Sequence, residues 1–193
     1  MRVLTFLHSF EVGGVERVAL RLNRAWLAAG HDAQLVMGRN DGMLRGEAAG
    51  LTYRTLASGR IATAHWETLW MILKLPCVVR QLNPDVIFCA GNTYTVVAVA
   101  LKLILGRACP PIAAKVSNDF DRSDLSPMAR WCYRLWLRAQ APFIDCFVGI
   151  AEPMRAQIER LTGASSSAVA VINDPAIDAI PFTASKPTAR RQE

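Results

Sequence analysis

The sequence predicts an α/β fold: a doubly wound, mostly parallel sheet with helices on both faces. Three observations predict it. Short apolar runs with β-branched members alternate with longer amphipathic stretches along the whole chain, as strands buried on both faces and joined by helical crossovers do. Glycine, proline and Asn-Pro punctuate the joins. A chain of 193 residues holds one such domain with a full core and is too short for two large ones.

Residues 2–29 organise the rest. Residues 3–7 are a strand for a sheet centre, Gly13 and Gly14 mark a turn, and a helix begins near Val15. That helix sets Val15, Val18, Ala19, Leu22, Trp26 and Ala29 on one side, with Arg17, Arg21 and Arg24 turned away. Gly30-His31 closes it. Residues 32–37 (DAQLVM) form a second strand, parallel to the first because a helix joins them. Residues 38–50 are a polar, glycine-rich loop, and residues 51–56 (LTYRTL) alternate as an edge strand does. After a connection over residues 58–62, a helix runs from about residue 64 to 82, kinked or restarted near Pro76.

Asn83-Pro84 ends that helix, and residues 85–89 (DVIFC) give the next strand. Residues 90–93 are a second strand-to-helix turn with Asn92 or Thr93 as cap. The helix over residues 95–105 is apolar all round and is expected to be buried. A strand over 112–116 leads to a polar loop over 117–126, and Pro127 opens a helix to about residue 141. A strand over 146–150, a helix over 152–161 and a strand over 169–172 complete the alternation. From Thr183 the composition turns to Ser, Lys, Pro, Thr and Arg. The domain is therefore expected to span residues 1–182, with 183–193 a flexible tail or truncated interdomain linker.

Hydrophobic residues make up 52% of the chain, yet no apolar run reaches the ~20 residues of a membrane span. The first apolar run meets His8 and Glu11 too soon for a signal peptide, so the expected location is cytoplasmic. The five cysteines show no CxxC pair and no metal-ligand spacing with the histidines, and read as buried reduced thiols, with no metal site. Net charge is +6, and almost every basic residue is arginine, the lysines being Lys74, Lys102, Lys115 and Lys186 alone. Arginine enrichment fits phosphate or anionic-lipid contact; a GC-rich genome produces the same bias. Dispersed arginines without a recognised motif give little support to a nucleic-acid partner, and none is expected.

Ligands of this architecture bind outside the carboxyl ends of the strands, which selects the loops over residues 8–14, 90–93 and 117–124. Two readings of Gly13-Gly14 stand side by side. The free amides and positive dipole of the helix start favour an anion such as a diphosphate, which glycine lets approach closely. A tight turn needing positive φ would also call for glycine. His8, at the end of the first strand, is a binding candidate or a satisfied structural histidine.

Several motifs together resemble the N-terminal domain of glycosyltransferase family 4. They are the strand followed by GGVER and an amphipathic helix ending in Ala-Gly-His, NPDVIF (residues 83–88), FIDCFVGIAEPMRAQI (143–158) and VAVINDPAID (169–178). The resemblance covers about residues 1–180. It implies the N-terminal half of a GT-B architecture, in which two Rossmann-like domains face each other across a cleft. The N-terminal domain mostly holds the acceptor and the other holds the nucleotide-sugar donor. It implies retaining, nucleotide-sugar-dependent hexosyl transfer without a metal ion or a tightly bound cofactor. Gly13 and Gly14 would then lie near the donor diphosphate and acceptor, joined by His8, Asn92 and Asn118 as binding residues. Glu16 is assigned to dipole compensation or a salt bridge rather than to catalysis.

The sequence also departs from the family. Members often carry histidine where Asn118 or Asp119 stands here. Asn118 can donate a hydrogen bond but cannot shuttle a proton, whereas Asp119, with a raised pKa, could, and is the catalytic candidate. The serine of the usual Ser-Glu pair is Ala151, leaving Glu152. The family's acidic donor-binding motif is not found after Asp178, so the chain is expected to be an acceptor-binding half that is inactive alone. A truncated enzyme, a dissected domain and a split-enzyme subunit all fit that expectation, with the donor-binding half as its missing partner.

Many family members glycosylate lipid-linked acceptors. Residues 127–141 offer a surface for peripheral contact with the inner membrane face, with Arg130, Arg134 and Arg138 in a stripe beside Trp131, Leu135 and Trp136. A helix packing its aromatics on the sheet and solvating its arginines reads the same way. Two rival functions remain. One is a non-catalytic binding or scaffold module that keeps the fold. The other is a dinucleotide-binding protein, which lacks the three spaced glycines and would need Arg39 to hold a phosphate.

Overall fold

A computed structural model describes residues 1–56, 66–117, 120–122 and 124–172. Its strands are β1 (Arg2–Leu7), β2 (Asp32–Met37), β3 (Tyr53–Thr55), β4 (Val86–Cys89), β5 (Ile112–Lys115), β6 (Cys146–Gly149) and β7 (Val169–Val171). They form one sheet in the order β3-β2-β1-β4-β5-β6-β7, and every pairing is parallel. The helices are α1 (Gly14–Ala28), α2 (Glu67–Leu82), α3 (Thr95–Leu105), α4 (Pro127–Gln140) and α5 (Glu152–Thr162). β1 lies mid-sheet with Val3, Leu4, Thr5, Phe6 and Leu7 all buried, which explains its continuous apolar run. β3 closes one edge and keeps its expected alternation, half in water.

From β1 the chain steps outward through β2 to β3, then returns through α2 to β4 and continues the other way. The strand order therefore reverses between β1 and β4, the position at which sheets of this kind bind ligands. α1 covers one face together with a 3-10 turn over Met43–Ala48, and Trp26 meets the Phe88 ring edge-on at 5.2 Å. Right-handed crossovers place α2 to α5 on the other face, side by side in chain order.

Several expectations need correction. α1 turns Ala19, Leu20 and Asn23 into the core and leaves Ala29 exposed beyond its end. Asn23 is tolerated there because its Nδ2 donates to Thr5 Oγ1 at 3.0 Å and to the Ala19 carbonyl at 2.8 Å. α2 runs unbroken through the buried Pro76, and its expected start near residue 64 lies outside the described residues. α3 buries Val97, Ala98, Leu101 and Leu105 but exposes Val96, Leu103 and Ile104, because its neighbours and the sheet cover only one side. Neither Asn92 nor Thr93 caps it with a side chain. A 3-10 turn over Asn92–Tyr94 intervenes, and Thr95 Oγ1 donates back to the Asn92 carbonyl at 2.8 Å.

The cysteines are all free, but only Cys89 and Cys109 are buried; Cys77 and Cys132 are exposed and Cys146 is half-buried. Cys77 and Cys132 fall on the outer sides of α2 and α4. Burial pushes the Cys89 thiol up to about 12. Among the described residues, no helix is long and apolar enough to cross a membrane. Residues 183–193 lie outside the described residues.

Candidate functional site

The site forms where β1 and β4 part, at the carboxyl end of the sheet. β1 hands over to His8, and Gly13 caps α1 with an extended backbone at φ −147° and ψ 155°. Neither Gly13 nor Gly14 has positive φ, so the tight-turn reading falls. A Cβ on Gly13 would lie 1.9 Å from Glu16 Oε2, while Gly14 faces open space. The Glu16 carboxylate thus sits over the start of α1, where it compensates the helix dipole. Its other oxygen accepts a 2.6 Å hydrogen bond from the Tyr94 hydroxyl. An incoming anion would meet the open side at Gly14 with this carboxylate beside it.

The second turn locks onto the first. A Cβ on Gly91 would approach the two Val15 methyls to 2.9 and 3.0 Å. Tyr94, buried just beyond, packs against His8 with ring centroids 4.7 Å apart and the planes tilted by 49°. Burial, reinforced by the Glu16 hydrogen bond, pushes the Tyr94 phenol well above its usual range. It therefore stays a hydrogen-bond donor. Asn92, half-buried, stands at the same turn.

His8 Nε2 is buried without a hydrogen-bond partner among the described residues. Burial lowers the His8 pKa, opposed by Glu67 and Glu16 and assisted by Arg39. The folded protein thus holds His8 neutral where the unfolded chain would protonate it. The unfolded state binds the extra proton, so stability is full above the unfolded value of 6.5 and falls as pH drops below it. Urea midpoints measured between pH 7.5 and 5 should decline with pH, and His8→Gln should flatten that slope above the carboxylate range.

Arg39 follows β2 and is the electrostatic hub. Its Nε donates to Glu67 Oε1 at 3.0 Å, Nη1 to Asp41 Oδ2 at 2.8 Å and Nη2 to Glu11 Oε1 at 3.2 Å. With three carboxylates around its fork, its charge is already more than matched, which disfavours a cofactor phosphate and with it the dinucleotide reading. Arg39, Glu67 and Tyr94 were not singled out by sequence for this cluster. They reach it from three separate segments, and only Arg39 carried a local signal, its place just after a strand.

Asn118 and Asp119 lie outside the described residues. Their neighbour Ser117 lines a cavity of about 630 Å³ with Ile150, Pro153, Met154, Ala156, Gln157 and Arg160. The third expected loop therefore borders the larger hollow, whose wall is α5, a helix the sequence predicted but did not assign to the site. Between α4 and α5 lies a second cavity of about 280 Å³, lined by Asp121, Arg134, Arg138, Arg160 and Leu161.

On α4, Arg130 is half-buried and donates to the carbonyls of Arg122 and Leu125, and Arg134 pairs with Asp121 at 2.9 Å. They do not form a uniform solvated stripe with Arg138. The aromatics divide as well: Trp136 is half-buried, whereas Trp131 is 59% exposed beside exposed Met128 and Leu135. Among the described residues, no three His, Cys, Asp or Glu side chains gather as a metal-binding group.

The family model described as Glycosyltransferase Family 4 matches residues 12–175. No curated protein matches the sequence. Among solved structures, Anabaena HepE in complex with UDP and glucose is similar at 12% identity and a TM-score of 0.65, covering 90% of this chain and 44% of that one. The apo lipopolysaccharide outer core galactosyltransferase WaaB is similar at 15% identity and a TM-score of 0.66, covering 90% of this chain and 46% of its own. The UDP-GlcNAc 2-epimerase of Methanocaldococcus jannaschii is similar at 15% and 0.61, covering 92% and 47%. At these identities the likeness is one of fold. The chain spans less than half the length of each.

Proposed function

The chain belongs to Glycosyltransferase Family 4, and from that premise we propose that it forms the acceptor-binding half of a retaining, nucleotide-sugar-dependent hexosyltransferase. One observation carries the reading: the match covers 90% of this chain but 44–46% of HepE and WaaB, and the larger cavity takes in Ser117 and Ile150, just past β5 and β6 at the carboxyl edge of the sheet, where such folds bind ligands. In this reading the acceptor occupies the hollow bordered by Ser117 and α5. The turns at Gly13, Gly14 and Asn92, together with His8, face the donor diphosphate. Asn118 contributes a hydrogen bond to the substrate and Asp119 is the candidate proton acceptor. The donor is a nucleotide-diphosphate sugar, supplied by a second domain or subunit whose groups stabilise the departing diphosphate. The exposed edge of α4 (Met128, Trp131 and Leu135 beside Arg134 and Arg138) gives it peripheral contact with an anionic lipid surface.

The test is a nucleotide-sugar panel assayed with this chain alone and with a separately supplied family donor half. Transfer is expected only in the mixture. Turnover by the isolated chain overturns the division of labour. Absence of transfer with every donor half, while acceptors still bind, assigns the chain to the non-catalytic binding class.

A further inference from the structure

We infer that the groove between α4 and α5 is a binding site for a phosphoryl or diphosphoryl group, carried by the acceptor. The assignment to the acceptor rests on the function proposed above; the site itself does not. Three arginines, Arg134 and Arg138 from α4 and Arg160 from α5, line one cavity of about 280 Å³. Asp121 is the one carboxylate in that lining, and Arg134 already holds it at 2.9 Å. Arg138 and Arg160 have no ion-pair or hydrogen-bond partner among the described residues. The hollow therefore carries two uncompensated positive charges.

Each of these two arginines stands in the last turn of its helix, where the dipole favours a cation. That accounts for an arginine at each end but not for both lining the same hollow. Arg134 and Arg138 are one turn apart and share a face. Arginines lining one hollow from two helices suit the tetrahedral oxygens of a phosphate better than a flat carboxylate, which one planar fork can satisfy alone.

Arg160 also lines the 630 Å³ hollow with Ser117, Met154 and Gln157. The two cavities thus share a wall. A single molecule can place its phosphate among the arginines and its remaining body against the mixed polar and apolar lining at the strand ends. The adjoining ridge of Met128, Trp131 and Leu135 is exposed, so an apolar chain attached to the phosphate would find cover outside the groove.

The full 193-residue chain should be titrated by calorimetry at low salt with inorganic pyrophosphate. Saturable binding is expected, weakened roughly tenfold or more by each of Arg138→Gln and Arg160→Gln. Both side chains lack partners, so both variants should fold, which circular dichroism checks. The control Arg21→Gln/Arg24→Gln, exposed on α1, should bind as the parent does. Absence of binding, or binding equal in the Arg138→Gln/Arg160→Gln pair, overturns the site. A second arm uses soluble short-chain phosphatidic acid. Tighter binding that Trp131→Ala brings back to the pyrophosphate level identifies a lipid phosphate, and equal binding a water-soluble one. Sugar transfer is not read in either arm, so failure here leaves the transfer reading standing.

Discussion

Arg39→Ala is expected to cost the fold about 2–4 kcal/mol, nearly all of it through Glu67. The three arms of Arg39 are not equal. Glu11 and Asp41 are 71% and 60% exposed, whereas Glu67 is 14% exposed and Arg39 itself 19%. Exposed pairs contribute at most about 1 kcal/mol. Removing the arginine strands the Glu67 carboxylate in a half-dry pocket beside His8, and an unpaired buried charge is what makes such losses large. The discount below the fully buried range reflects the remaining solvent contact.

A double-mutant cycle between Arg39→Ala and Glu67→Gln in urea should give a coupling of about 2 kcal/mol, and one with Glu11→Gln no more than about 0.5 kcal/mol. Equal couplings would show that solvent screens all three arms alike. Arg39→Lys should recover little, since a point charge cannot replace a fork. A second readout follows from His8. Arg39 helps to lower its pKa while Glu67 and Glu16 act to raise it, so the His8 titration followed by NMR should move upward in Arg39→Ala.

This cluster marks where sequence reading stopped. β2 and α3 match their expected bounds end to end because apolar runs meet glycine or a polar turn on both sides. Glu16 was also legible, since an acid in the first helical turn has one obvious electrostatic partner. What could not be read was which distant groups would meet. Nothing local announces that Tyr94 reaches Glu16, that Glu67 reaches Arg39, or that a polar Asn23 finds Thr5 inside the core. The α5 wall of the larger hollow was invisible for a related reason. Met154, Gln157 and Arg160 recur at helical spacing, as any half-buried helix face does, and only the sheet order brings them beside Ser117. The two glycines invert the lesson: their place at a helix start was readable, but the group that fills the missing side chain's space is the protein's own carboxylate.

Gly91→Val is expected to destabilise the protein by about 2–3 kcal/mol, the upper range for overfilling a packed site. The backbone at Gly91 is extended, with φ −171°, a conformation valine adopts without strain. All of the cost is therefore steric, from a Cβ within 2.9–3.0 Å of the Val15 methyls. Val15 cannot rotate clear, because a β-branched side chain in a helix has one strongly preferred rotamer. Either α1 or the turn after β4 must shift, and the Tyr94–Glu16 hydrogen bond joins those two elements. Val15→Ala in the same chain should recover most of the loss. Purely additive effects would show that the two turns do not touch in solution. Gly13→Ala supplies the contrast, because the atom in its way is the tip of a flexible glutamate that can swing aside. Its cost should stay within about 1 kcal/mol, and the carboxylate it displaces would leave the start of α1 open to an external anion.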